Sequence, residues 1–100
     1  MDYDLISQEV QDDMIVQTMK SQQMDHYIHT LNAARYRSII ASAADGPWKG
    51  RITGLLEETE SRIGEVESIV DALLPQMPPE GRKVAAVARI QAAEATVKAG

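Results

Sequence analysis

Seven residues in the middle of the chain, Ile52, Leu56, Thr59, Ile63, Val66, Val70 and Leu73, succeed one another at spacings of 4, 3, 4, 3, 4 and 3. That is the 3.5-residue period of a helix packed along a continuous seam. Leu56, Ile63 and Val70 take the a positions of the heptad, and Ile52, Thr59, Val66 and Leu73 take d. Leu55 and Ile69 at g, with Leu74 at e, widen the stripe beyond what one neighbour covers. The spacing therefore predicts a helix buried against two or more others, in a bundle or in an oligomer.

The punctuation around the seam sets the rest of the architecture. Pro47 suits the first turn of a helix, and Pro75 ends one. Trp48, one turn before Ile52, is expected to cover the end of the seam. Upstream, about 40 residues from Asp4 to Ala44 contain neither Gly nor Pro. They read as a helix capped by Asp4 and stopped at Ala43-Ala44-Asp45-Gly46-Pro47. Unbroken, it would run roughly 60 Å, against a radius of gyration near 13 Å for a compact domain of about 100 residues. Its apolar residues fall into two sets, Ile6, Val10 and Met14, then Met24, Ile28, Leu31 and Ile39. Between them lies the polar stretch Gln17–Gln23. The reading adopted is a continuous helix with a solvated middle, and a bend at that stretch is the alternative.

Downstream, Pro75-Gln76-Met77-Pro78-Pro79-Glu80-Gly81 reads as a stiff, extended link. Arg82 to Ala99 is Ala-rich and strongly helix-forming. Its stripe, Val84, Val87, Ala88, Gln91 and Ala95, is narrow, so this helix is expected to dock on the first two helices or on a partner. Glu58–Arg62 and Glu94–Lys98 are favourably ordered i, i+4 pairs. The fold expected is all-α. An elongated hairpin of two long antiparallel helices with a coiled-coil-like seam occupies residues 1–74. A Pro-rich linker covers 75–81, and a shorter C-terminal helix covers 82–100.

Composition narrows the function. The chain has no Phe, one Trp and three Tyr, so Ile, Leu, Val, Met and Ala must build the core. It has no cysteine, which removes disulfides, thiolate metal sites and cysteine nucleophiles and favours a reducing, cytoplasmic compartment. No run of 18 apolar residues is present, and no apolar stretch follows the acidic start Met1-Asp2-Tyr3-Asp4, so neither a membrane span nor a secretory signal is expected. Net charge is −5, with −4 over residues 1–46, −3 over 47–74 and +2 over 75–100. The acidic segments should repel nucleic acid. Arg82, Lys83, Arg89 and Lys98 are too few, and too free of aromatic neighbours, to read as a nucleic-acid site.

No nucleophile elbow, phosphate-cradling loop or dinucleotide fingerprint occurs, so no catalytic residue and no cofactor are assigned. Asp25, His26 and His29 are the one cluster with ligand chemistry, and on a helix their side chains could converge. A metal needs three or four ligands, and no second His-bearing helix supplies more. A surface histidine pair is the simpler reading. The expected function is non-enzymatic: helical oligomerisation or assembly, as a scaffold, adaptor or structural component of a larger complex, virus particles included. The seam would be Ile52, Leu55, Leu56, Thr59, Ile63, Val66, Ile69, Val70 and Leu73. Partners would be copies of the chain or other proteins, met on a surface carrying Glu57, Glu58, Glu60, Glu65, Arg82 and Arg89. One alternative is a small acidic regulator or inhibitor that covers a basic site on its target. A second is a metal-binding bundle using Asp25, His26 and His29.

Overall fold

The computed structural model describes residues 2–42 and 45–99, with side chains from Ser7 onward. Three α-helices account for nearly all of it: α1 (Asp2–Ser42), α2 (Pro47–Leu73) and α3 (Glu80–Ala99). There is no strand among the described residues. The two long helices pack against each other, and the shorter C-terminal helix completes the all-α fold.

α1 is continuous through Gln17–Gln23. It begins at Asp2, so Asp4 lies inside the helix rather than at its cap. The side chains of Asp4 and Ile6, and the expected Ala43–Ala44 stop, lie outside the described residues. Pro47 opens α2 as expected, and the Lys49 amide donates to the Gly46 carbonyl at 3.0 Å. Trp48 folds back over Gly46, where a side-chain carbon would meet the indole nitrogen at 2.9 Å. A glycine is what admits the ring there. Trp48 itself stays 41% exposed.

The Pro-rich link is shorter than the sequence implied. Leu74–Gln76 forms a 3-10 turn, closed by the Met77 amide on the Leu74 carbonyl at 3.2 Å. Met77 is extended, Pro78 is buried, and α3 starts at Glu80, two residues before Arg82. Pro79 supplies the carbonyl that the Lys83 amide caps at 2.8 Å. The prolines thus end one helix and launch the next. Proline tolerates both places because its missing N–H is not needed there.

The chain packs as two compact units, one of residues 1–21 with 71–100 and one of Gln22–Val70. In the first, Val16, Met19 and Ala86 are buried. In the second, Ala33 and Val66 are the buried hydrophobic residues. Threonines within the helices satisfy themselves. Thr18, Thr53, Thr59 and Thr96 each donate to the carbonyl four residues back, at 2.7 to 2.9 Å. That is how Thr59 can occupy a seam position without a partner across it.

Candidate functional site

In the unit of Gln22–Val70, the α2 seam follows its heptad closely. Val66 is buried, and Ile52, Leu56, Thr59, Ile63 and Val70 are half-buried. Leu73, in the other unit, is also half-buried. The flanking Leu55, Ile69 and Leu74 do not follow, being 36, 42 and 58% exposed. The neighbour that covers the seam is α1. Glu67 of α2 lies 3.2 Å from the His26 ring, and Glu60 lies 3.7 Å from Arg37. Later residues of α1 thus meet earlier residues of α2, so the pair is antiparallel.

The face that α1 turns toward α2 is not the one its apolar residues mark. Gln22, His26, His29, Tyr36 and Ile40 are half-buried and Ala33 is fully buried, at spacings of 4, 3, 4, 3 and 4. Ala33, with its single methyl, lets the facing helix come close at mid-seam. By contrast Met24, Ile28, Leu31 and Ile39, the second apolar set of the sequence, are 55, 46, 39 and 41% exposed, and Tyr27 is 61% exposed. The polar seam carried a signal of its own. None of its six positions is Lys, Arg, Glu or Asp, and all keep the 3-4 rhythm.

In the other unit, ion pairs join α1 to α3. Arg82 Nε donates to Asp12 at 3.0 Å, and Gln8 donates to the same carboxylate at 2.9 Å. Arg89 grips Asp13 through two nitrogens, at 2.7 and 3.0 Å. Lys20 donates to Glu94 at 2.9 Å. Residue numbers rise together along both helices, so α3 runs parallel to the start of α1. Asp12 is buried, with only 4% of its side chain exposed. Burial pushes its carboxyl up, but the Gln8 amide and the Arg82 guanidinium outweigh this and hold it below the usual carboxylate range. Lys20 likewise lowers Glu94, and the Asp13 hydrogen bond raises Arg89.

Arg82 and Arg89, expected on a partner surface, are therefore engaged within the chain. Of the acidic set, Glu57 and Glu58 are exposed. Glu65 lies 3.6 Å from Arg62, which takes it in place of the expected Glu58. The apolar face of α3 is also shifted. Ala86 is buried and Val87 and Ile90 are half-buried, while Val84, Ala88, Gln91 and Ala95 are exposed. The cue was Ile90, the largest apolar residue of that helix. It sits three residues after Val87 and four after Ala86.

Asp25, His26 and His29 do not assemble a ligand set. Among the described residues no three His, Asp or Glu side chains gather as metal ligands. Asp25 is exposed, and His26 is taken by Glu67. A shallow groove of about 380 Å³ lies between Gln17 and the Ile90, Ala93, Glu94 and Val97 side of α3. Its one carboxylate, Glu94, is bound to Lys20, and Lys98 also lines the groove. The chain matches no protein family, curated protein or solved structure. On α1 the large apolar side chains of Met24, Tyr27, Ile28, Leu31 and Ile39 are exposed.

Proposed function

We propose that the chain is a non-enzymatic assembly protein. It works as a scaffold, adaptor or structural component of a larger complex, by packing its helices against those of other chains. One observation carries this reading. In the unit of Gln22–Val70, the large apolar side chains of Met24, Tyr27, Ile28, Leu31, Ile39, Trp48, Leu55 and Ile69 are exposed, while the buried hydrophobic residues are Ala33 and Val66. Monomers that remain monomers seldom leave so much patterned apolar surface in water. The positions at g on α2, Leu55 and Ile69, keep the heptad spacing and stay open to a further helix, which favours a homo-oligomer.

The competing reading is an acidic regulator acting through Glu57, Glu58, Glu60 and Glu65, and salt separates the two. Light scattering on a sizing column, at about 0.1 M and about 1 M salt, spans Debye lengths from about 10 Å to about 3 Å. Assembly by apolar burial predicts an oligomer at both salts. A monomer at both would contradict it, and an oligomer that dissolves at high salt would assign the contact to charge.

A further inference from the structure

We infer that α3 is a charge-latched strap, which swings away from the start of α1 as an intact helix when ionic strength rises. All its parts lie in the unit of residues 1–21 and 71–100. Charge is sorted between the two helices. Residues 1–21 carry five acids and one base, and α3 carries four bases and two acids. Arg82 faces Asp12, Arg89 faces Asp13 with Glu9 on the same groove, and Glu94 faces Lys20. Apolar burial adds little to these pairs. Among the described residues of α3 only Ala86 is buried, with Val87 and Ile90 half-buried and Val84 and Val97 exposed. Two grooves, of about 380 and about 150 Å³, stay open along the joint. The facing side chains therefore do not interdigitate to the density of a core.

The three pairs differ in position and in burial, and that sets how the strap opens. Arg82–Asp12 lies at the first turn of α3, beside the proline link, and its carboxylate is buried. Salt screens a buried pair least, so this one holds the hinge end. Arg89–Asp13 and Lys20–Glu94 lie farther out, and their side chains are 34 to 52% exposed. They are the pairs that salt weakens first. Pro78 is buried and pins the link, so the pivot falls on Pro79 to Gly81, where glycine is the most permissive residue. The helix itself does not need α1 for its shape. Its alanines favour helix, and Glu80 in the first turn and Lys98 in the last complement its dipole. From Arg82 to Ala95 the lever is about 20 Å long, so a swing at the pivot moves the far end by a distance of that order.

Because the chain has no cysteine, two can be introduced and spin-labelled. Ser21→Cys and Ala95→Cys flank the Lys20–Glu94 pair, and both positions are exposed. The labelled chain is diluted with unlabelled chain, so that only distances within one molecule are read. At about 0.1 M salt a single short spin–spin distance is expected. At about 1 M, where the Debye length falls from about 10 Å to about 3 Å, a longer and broader distribution should replace it, with helicity by circular dichroism unchanged. A short distance that persists at about 1 M salt would overturn the strap, because packing would then hold α3. Opening with loss of helicity would also overturn it, because α3 would then melt rather than swing. In the same labelled chain, Arg89→Glu should open the strap at the lower salt, and adding Asp13→Arg should close it again. A closed Arg89→Glu, or an open charge-swapped chain, would show that this pair is no latch. Should Arg89→Glu fail to fold, the salt series decides alone.

Discussion

Met19 and Met24 sit on the same helix, five residues and a little over one turn apart, and share one chemistry. Met19 is 4% exposed and Met24 is 55% exposed. The difference is positional, since five residues rotate a side chain by about 140°. Truncation of a buried methionine costs both transfer energy and a cavity. Met19→Ala should therefore lower stability by about 2–5 kcal/mol, while Met24→Ala should change it by less than about 0.5 kcal/mol. Urea melts of both variants below the association range check this, and equal losses would place the inner face of α1 wrongly. From the sequence the expectation is the reverse, with Met24 in an apolar set and Met19 inside the stretch Gln17–Gln23 read as a solvated middle; the burial of Met19 corrects it. Hydrophobicity points to both, and only the neighbours decide which one water reaches. His26, Tyr36 and Asp12 show the converse. Polar side chains entered the inner face because Glu67, Arg82 and Gln8 were there to meet those that needed a partner.

At the scale of the element, α3 is the helix whose attachment depends most on charge. Its apolar contribution is Ala86 with parts of Val87 and Ile90, and three ion pairs to Asp12, Asp13 and Lys20 fix it. The carboxyls of Asp12 and Glu94 are held below their ordinary values of 3.8 and 4.5. Depressed carboxylates stabilise the docked helix fully above those ordinary values. Below them the undocked state binds protons more readily, and the stabilisation is lost as the pH falls through the lower, docked values. Amide hydrogen exchange from Val84 to Ala95 should therefore be slowest, relative to its intrinsic rate, near neutral pH. Protection should fall as the pH drops below about 4, sooner than that of the α2 seam. Protection of α3 that outlasts the α2 seam in acid would show that apolar burial holds it. The helices themselves were legible. Gly46, Pro47, Pro75 and the Ala-rich tail gave the order of elements and most ends to within two residues. What escaped was rotation. The α3 face was misplaced because its widest apolar run and its buried run differ, and ion pairs chose between them.

For the whole molecule, each unit must offset the conformational entropy of long helices with few buried side chains. That balance is narrow for a chain of this size. The heptad on α2 announced helix packing, and of its a and d positions Val66 is buried and the other six are half-buried. The matching seam on α1 was hidden because histidine, glutamine and tyrosine occupy it, and hydropathy looks past them. The apolar residues that did stand out on α1 form a second surface, opposite the first. Association between copies of the chain makes stability depend on concentration, because an associated state is favoured by mass action. The most direct measurement is therefore the melting temperature across about three decades of protein concentration. Burial between chains predicts a Tm that climbs with concentration. A wild-type Tm independent of concentration would mean that the helices complete their packing within one chain, and would contradict the assembly account.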